Sequence, residues 1–107
     1  MSYKSDMLEI IEHPKLTAWI ASPRDSQAKA RIAGRIQRLA HGLAGDVEPV
    51  GEGISELRVH HGPGYRVYFC THGSKLIVLL CGGDKSSQAL DIKAAKALAT
   101  IWKGKLP

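Results

Sequence analysis

The chain has 107 residues, of which 44% are hydrophobic and 23% are charged, values that are ordinary for a globular domain and that exclude extensive disorder. Fifteen lysines and arginines against ten aspartates and glutamates give a net charge of +5 at pH 7. We therefore expect one domain over residues 1–107. Its basic balance favours an anionic partner, such as nucleic acid, an acidic protein or a lipid surface, unless the charge has no specific meaning.

The composition also predicts a cytoplasmic protein without a cofactor. Charged side chains within the first twelve residues do not fit the apolar run of a secretory signal, and no apolar run has the length of a membrane span. Cys70 and Cys81 lie among apolar residues, where a free cysteine behaves as a small hydrophobe. The cysteines and histidines lack the paired spacing of a zinc site, so we expect neither a metal nor a disulfide.

One short strand and two helices are predicted in the first part of the chain. Met7–Ile11 is mainly apolar and predicts an edge strand, which ends before Pro14, where a helix can start. The apolar face of this first helix consists of Leu16, Trp19 and Ile20. Pro23 breaks this helix and can occupy the first turn of the second one.

The second helix carries an apolar stripe and a basic ridge. The stripe consists of Ala28, Ile32, Ile36, Leu39 and Leu43. The ridge consists of Arg31, Arg35 and Arg38 and lies about 90° from the stripe on a helical wheel. The stripe predicts the side of the helix that faces the core, whereas the ridge is either a solvated face or a surface for RNA phosphates.

The second half of the chain predicts three strands and a last helix. Glycines and a proline make residues 46–53 a turn-rich connection to these strands. The third strand, Leu76–Cys81, is continuously apolar, so we expect it near the middle of the sheet with both faces covered. Ser86 or Ser87 can cap the last helix. The predicted core face of that helix consists of Leu90, Ala94, Ala97, Leu98 and Ile101.

Charged residues interrupt the first two of these strands at regular spacing. Alternation with period 2 directs four apolar side chains toward a core, namely Leu57, Val59, Val67 and Phe69. Glu56, Arg58 and Arg66 share the opposite face only if an odd number of residues links the strands, because a one-residue slip would bury an arginine. Residues 60–64 contain the glycines and proline of such a hairpin loop. This register is expected to place Glu56 opposite Arg66.

Two arginines and a carboxylate on one sheet face predict phosphodiester chemistry. The fork of a guanidinium group suits a phosphate, so Arg58 and Arg66 are candidate catalytic cations. Glu56 is a candidate general base or an orienting partner for an arginine. Tyr68 lies on the same face and is a candidate for stacking on an RNA base, whereas Tyr65 has the parity of the core. The alternative is a cross-strand ion pair on a solvated face, without catalytic meaning.

Two further groups of polar residues flank this face. Asp84 and Lys85 precede the last helix, where backbone amides can bind a phosphate, although a polar turn with a helix cap would also explain them. His60 and His61 occupy the hairpin loop, and each is a candidate acid or RNA contact because histidine titrates near neutrality. A loop histidine that is exposed and has no role is the alternative.

Three motifs carry a resemblance to a known family. The segments G-E-G-I-S-E-L-R, G-P-G-Y-R-V-Y-F and L-L-C-G-G-D-K-S-S-Q, the last followed by D-I-K-A-A, resemble the RelE/ParE toxin superfamily of bacterial toxin-antitoxin systems. The resemblance is closest to the HigB-like, phage Gp49-related branch of addiction-module killer proteins. It implies an α+β, RelE-like compact single domain with a mostly antiparallel four-stranded sheet, helices packed on one face and the order β-α-α-β-β-β-α.

The resemblance also implies an activity and partners. Arg66 matches the strand arginine with which family members contact the scissile phosphate, and Lys85 matches a region where nuclease members place another basic or acid-base residue. The lysines of the well-studied pattern are replaced here by Ile54 and Glu56, so the proton-transfer scheme of that pattern is not implied unchanged. The implied protein is a toxin that cleaves mRNA on the ribosome by metal-independent attack of the 2′-hydroxyl. Its implied partner is a helix-turn-helix, HigA-like antitoxin.

Two other functions fit the same fold. A ParE-like relative poisons DNA gyrase without hydrolytic chemistry, which would leave the face with Glu56 and Arg66 without a catalytic task. A non-catalytic RNA-binding module would explain the charge but not the acid-base face. Fold alone does not distinguish these functions.

Overall fold

The computed structural model describes residues 8–22 and 25–105. In chain order the elements are β1 (Glu9–Glu12), α1 (Pro14–Ala21), α2 (Ser26–Ala40), β2 (Val47–Gly51), β3 (Ile54–Val59), β4 (Tyr65–His72), β5 (Leu76–Asp84), a short 3-10 turn (Lys85–Ser87) and α3 (Gln88–Lys103). The predicted first strand is confirmed as an edge strand in its described part, whereas Met7 and Pro23 lie outside the described residues.

The sheet has five strands in the order β1-β5-β4-β3-β2, not four. The strands from β2 to β5 pair antiparallel, whereas β1 pairs parallel with β5, so the sheet is mixed. The additional strand is β2, and the prediction of a turn-rich connection there was wrong. Pro49 cannot donate a ladder hydrogen bond, but it is tolerated because β2 lies at the edge of the sheet. The prediction that β5 lies inside the sheet with both faces covered is confirmed, although β4 is the central strand.

Helices cover both faces of the sheet, which corrects the prediction that they pack on one face. Leu16 of α1 and Ile32 of α2 belong to a core on one side of the sheet. Ala95 and Ala99 of α3 belong to a second core on the other side. The charged residues of β3 and β4 lie on the side of α3, because Gln88 of that helix hydrogen-bonds to Glu56. This face is therefore partly withdrawn from solvent.

Two of the predicted core stripes need correction. Leu43 is 60% exposed, because α2 ends at Ala40 and the chain turns at Gly42, whose φ is +80°. In α3, Leu90 and Ile101 are 75% and 60% exposed. That helix faces the sheet with polar residues in its first turn as well as with alanines, so its apolar side chains alone did not reveal which side is buried.

Two consecutive glycines in β5 let helices approach the sheet from opposite sides. A Cβ on Gly82 would overlap the ring of Trp19 in α1, and a Cβ on Gly83 would overlap the carboxylate of Asp91 in α3. The two glycines of the last sequence motif are therefore required by close packing. They determine how closely α1 and α3 approach β5, the strand that pairs with β4 and its Arg66.

Cys70 and Cys81 are buried free thiols, as expected. Burial raises the pKa of both thiols, to about 11 for Cys81. Trp19, expected on the apolar face of α1, packs against one core, and Trp102 of α3 packs against the other. In the described part of the chain, no helix combines the length and the hydropathy that a membrane crossing requires.

Candidate active site

The β3-β4 hairpin brings the charged residues together in a register that differs by two residues from the expected one. Val59 pairs with Tyr65 across a loop at residues 60–64, so the odd loop is confirmed. Arg58 lies opposite Arg66, and Glu56 lies opposite Tyr68. The prediction that Glu56 is opposite Arg66 was therefore wrong, although all of these residues share one face and Arg66 reaches Glu56 diagonally.

Glu56 is the buried centre of this face, with 0% of its surface exposed. Its Oε1 accepts a hydrogen bond of 3.0 Å from Arg58 Nε. Its Oε2 accepts bonds of 3.0 Å from the Tyr68 hydroxyl and 2.8 Å from Gln88 Nε2. Arg66 Nε lies 3.4 Å from the same oxygen. Two strands, β3 and β4, and the helix α3 thus contribute donors to one carboxylate, as a buried charge requires.

The electrostatics of Glu56 favour an orienting role over direct proton transfer. Burial alone would raise the pKa of Glu56, but the hydrogen bonds from Arg58, Gln88 and Tyr68, together with the charge of Arg66, hold the pKa below its ordinary value. A carboxylate that is ionised, fully buried and surrounded by donors is a weak and inaccessible base. Of the two roles considered for Glu56, the geometry matches the orientation of an arginine.

Arg66 reaches from the buried carboxylate to the hairpin loop. Its side chain is 12% exposed, and Nη1 donates a bond of 3.3 Å to the carbonyl oxygen of Gly64. Its Nε is buried and has no hydrogen-bond partner among residues 8–22 and 25–105. A Cβ on Gly64 would lie 3.8 Å from Lys85 Cβ and 3.9 Å from Arg66 Nη1. The structure therefore brings Arg66 and Lys85 to the same end of the sheet, beside the loop.

Arg58 is surrounded by carboxylates. Besides Glu56, its Nη1 lies 3.7 Å from Asp46 Oδ1 and 3.9 Å from Glu48 Oε2. The hydrogen bond to Glu56 is the main reason that the pKa of Arg58 lies above its ordinary value. Because its charge is matched within the chain, Arg58 is placed to brace Glu56 rather than to meet a phosphate.

The two tyrosines of β4 divide as their parity predicts, but Tyr68 is not available for stacking. Tyr68 is fully buried, and burial is the main reason that the pKa of its hydroxyl is raised. The stacking prediction was wrong because α3 covers this face. Tyr65 packs against Trp19 with ring centroids 6.1 Å apart, which confirms its place on the core side.

Asp84 forms the helix cap that was considered as the alternative to a phosphate site. Its Oδ1 accepts a bond of 2.8 Å from the backbone amide of Ser86, and Ser87 completes a capping box. The hydrogen bond from the Ser86 side chain is the main reason that the pKa of Asp84 is lowered. The carboxylate thus occupies the position that an anion would take at this turn, whereas Lys85 is exposed.

Each histidine of the hairpin loop contacts an aspartate. His60 Nε2 contacts Asp46 Oδ2, and this hydrogen bond is the main reason that the pKa of Asp46 is lowered. His61 Nε2 lies 3.6 Å from Asp25 Oδ1. Asp25 also caps α2 by accepting a bond of 2.6 Å from the Ala28 amide, which is the main cause of its lowered pKa. The side chain of His60 is 76% exposed and that of His61 is 20% exposed.

The basic ridge of α2 lines an open groove of about 320 Å³ beside the end of β3. The lining residues are Arg31, Gly34, Arg35, Arg38, Val59 and His60. Arg35 is half-buried, and its guanidinium donates bonds of 3.3 Å to the carbonyl oxygens of Arg58 and Asp46. Arg31 and Arg38 are exposed. The ridge is thus neither wholly solvated nor part of the site around Glu56.

Sequence reasoning missed two residues of these sites. Gln88 donates to Glu56 from α3, and only its place in the G-G-D-K-S-S-Q motif could have indicated it. Gly34 interrupts the arginine ridge, and a glycine inside an otherwise strong helix pattern was the available signal. Among residues 8–22 and 25–105, no cluster of three or more His, Cys, Asp or Glu could hold a metal.

Comparison with known proteins places the chain among phage-related sequences. Residues 21–102 match the family described as Phage derived protein Gp49-like (DUF891). The chain is also similar to an uncharacterized protein of Haemophilus influenzae, with 50% identity over 82 residues that cover 77% of this chain and 83% of that relative. The family match contains the strands from β2 to β5 and therefore the whole hairpin with its carboxylate and arginines.

Proposed function

The chain belongs to the Gp49-like family of phage-derived proteins, and on this basis we propose that it is the toxin of a type II toxin-antitoxin system that acts as a ribosome-dependent endoribonuclease. Gp49-like proteins are toxin-like members of such systems. The observation that carries the enzymatic part of the proposal is the placement of Arg66. Its guanidinium is anchored on a buried carboxylate and reaches the end of the sheet beside a glycine-containing loop.

In the proposed reaction, the ribose 2′-hydroxyl loses its proton and attacks the adjacent phosphorus of the mRNA. The bond from phosphorus to the 5′-oxygen breaks, and the 5′-oxygen gains a proton, which leaves a 2′,3′-cyclic phosphate and a 5′-hydroxyl. Arg66 and Lys85 neutralise the negative charge that grows on the phosphorane oxygens, which is where preorganised cations contribute most. Glu56 does not touch the RNA. It fixes the direction of the Arg66 guanidinium, while Tyr68 and Gln88 fix Glu56.

Proton transfer falls to the hairpin loop in this proposal. His60 and His61 are the titratable side chains of residues 60–64, and the loop adjoins Arg66 through Gly64. Histidine is suited to both giving and taking a proton near pH 7. Asp25 and Asp46 contact the ring nitrogens and would set the orientation of the two rings.

Two partners are part of the proposal. The first is a cognate helix-turn-helix antitoxin, as the toxin-like family supports. The second is the ribosome with its bound mRNA, a polyanion that suits a chain of net charge +5. Magnesium-bound ribosomes rather than free RNA would then present the scissile phosphate to the Arg66 end of the sheet.

One pair of assays tests this proposal. The purified chain is added to a cell-free translation reaction, and mRNA ends are mapped by primer extension with and without ribosomes. The same preparation is added to purified DNA gyrase and supercoiling is measured. We expect cleavage only in the presence of ribosomes and unchanged supercoiling. Intact mRNA at protein concentrations that stop translation in this reaction would refute the nuclease.

A gyrase poison is the second candidate function. It is favoured by the complete burial of Glu56, because a protein without hydrolytic chemistry does not need an accessible carboxylate on this face. Loss of supercoiling together with intact mRNA in the paired assays would establish this candidate in place of the nuclease.

A further inference from the structure

Gly34 lies in the middle of α2, and nothing among the described residues explains why this position is glycine. It is not one of the glycines with positive φ, and a Cβ on it would meet no atom within 4 Å. Glycine in a helix interior destabilises the helix relative to alanine, because its backbone loses more conformational freedom on folding. The helix therefore accepts a cost that packing within the described chain does not offset.

The open space above Gly34 belongs to the basic groove. Arg31, Arg35 and Arg38 surround it on α2, and Val59 and His60 close the side formed by β3 and the hairpin loop. None of the described residues that line the groove is a carboxylate. Asp46 contacts the groove residue His60, and it is engaged with His60 and Arg58. Positive charge and an unfilled position at the helix backbone thus occur together.

The three arginines of the groove differ in how firmly the structure holds them. Arg35 is fixed by two backbone carbonyl groups, so it forms a rigid positive wall. Arg31 and Arg38 are exposed and are separated by about 10 Å along the helix axis. Between them, Gly34 presents no side chain to the groove, and a Cβ at this position would meet no atom of the described chain within 4 Å.

We propose that this groove binds the phosphodiester backbone of an RNA strand, and that position 34 is glycine so that the strand can approach the helix backbone between Arg31 and Arg38. Guanidinium forks match phosphate oxygens, and glycine is the residue that permits close approach of a backbone to a ligand. The choice of RNA rests on the proposed function. The binding itself lies away from Arg66 and needs no cleavage.

The test uses an RNA that the proposed reaction cannot cut. A fluorescein-labelled 2′-O-methyl oligouridylate of about a dozen nucleotides is titrated with the protein at several KCl concentrations, and anisotropy gives the affinity. Gly34→Gln fills the groove without changing charge, and we expect it to weaken binding by about tenfold or more. Its melting temperature should stay equal or rise by about 4 °C, because glutamine is the better helix former.

Charge variants supply the matched comparison. Arg31→Gln should lower the slope of log affinity against log salt by about 0.7, the value of one phosphate contact on a single strand. Lys93→Gln removes the same charge from an exposed position on α3 and should leave the slope unchanged. Equal slopes for the two variants, or unchanged RNA binding by a folded Gly34→Gln protein, would overturn the proposal.

Two further outcomes separate this proposal from its rivals. If polyglutamate displaces the labelled RNA as well as polyuridylate does at equal charge, the groove serves an acidic protein and the proposal is overturned. If wild type and Arg66→Ala bind the uncleavable RNA equally but neither cleaves mRNA on ribosomes, the nuclease is refuted while the groove is supported. Failure of the groove and failure of the proposed function therefore give different patterns.

Discussion

Glu56 and Arg66 of the candidate active site differ in how fully their hydrogen-bonding groups are satisfied. Glu56 is buried but has three hydrogen-bond donors and a nearby guanidinium, which is what a buried carboxylate needs to remain ionised. Arg66 is nearly buried, yet its Nε has no hydrogen-bond partner among the described residues. Arg66 is thus positioned by its charge beside Glu56 and by the single hydrogen bond from Nη1 to the carbonyl oxygen of Gly64.

Replacing Arg66 tests this difference at the level of a single side chain. Arg66→Ala should lower mRNA cleavage on ribosomes by about a hundredfold, because transition-state charge loses its nearest cation, while Glu56 keeps its other three donors. Arg66→Lys should recover only part of the activity, since an ammonium lacks the guanidinium fork. Cleavage rates are compared with those of Lys93→Gln, which loses a distant positive charge. Equal rates for Arg66→Ala and the control would remove Arg66 from the site.

The depressed pKa of Glu56 predicts how stability changes with pH. The ionised carboxylate stabilises the fold above its ordinary pKa of 4.5, and this contribution is lost as the pH falls through the lower pKa of the folded state. Glu56→Gln should cost about 3 kcal/mol at pH 7, as expected when a buried ion pair loses one partner. Urea melts from pH 7 down to pH 3 provide the measurement.

The variant should also lose part of the dependence on pH. Asp25, Asp46 and Asp84 have lowered pKa values as well, so the wild-type slope below the ordinary carboxyl pKa should become shallower in Glu56→Gln without disappearing. Identical slopes in the two proteins would show that folding does not lower the pKa of Glu56. Gln88→Leu is the companion variant, because it removes a donor but leaves the carboxylate in place.

At the scale of the elements, β5 fixes α1 and α3 through its two glycines. Gly82→Ala should destabilise the protein by about 1 to 3 kcal/mol, because the new methyl group meets the rigid ring of Trp19. Gly83→Ala should cost less, since the carboxylate of Asp91 can rotate away. Thermal melting of the two variants is compared with that of Gly73→Ala. The Cβ of that variant meets no atom within 4 Å, so its loss of stability comes from the backbone φ of +64° and not from a steric overlap. A smaller loss for Gly82→Ala than for Gly83→Ala would contradict this packing.

The strands could be predicted from the sequence where the alternation of apolar and polar residues determines which side chains face the core. Period 2 in β3 and β4 determined which side chains share a face, and the glycine-rich loop determined the odd register. The uninterrupted apolar run of β5 indicated an interior strand with both faces covered. These predictions succeeded because a single slip would have buried an arginine or exposed a core valine.

The remaining features could not be predicted because the sequence pattern does not show which polar residues are buried. Pro49 argued against a strand, and only the position of β2 at the sheet edge makes it acceptable. The face of α3 that packs on the sheet begins with Gln88, which a hydrophobic pattern assigns to solvent. The burial of Tyr68 follows from that helix, so the expectation of an exposed stacking tyrosine failed with it.

On the scale of the whole molecule, the hairpin loop joins the two basic sites. Gly64 accepts a hydrogen bond from Arg66 at one end of the loop, and His60 lines the groove of α2 at the other end. The groove lies on the α2 side of the sheet and the Arg66 side chain on the α3 side, and both adjoin residues 60–64. A strand of RNA held in the groove would be led across the loop histidines toward Arg66 and Lys85, which links binding to the proposed chemistry.

The chemistry of the cleavage products tests this arrangement as a whole. If the RNA supplies its own nucleophile, a messenger with deoxyribose at the scissile position should bind to the ribosome and the toxin but remain uncut. The unmodified messenger should yield a 2′,3′-cyclic or 3′-phosphate and a 5′-hydroxyl. Substitution at a single nucleotide is a cleaner test than removing metal ions with a chelator, because the loss of magnesium also dissociates ribosomes. Cleavage at the deoxy position, or fragments with a 5′-phosphate, would mean that water attacks the phosphate. The cations at the end of the sheet would then serve a different reaction from the one proposed.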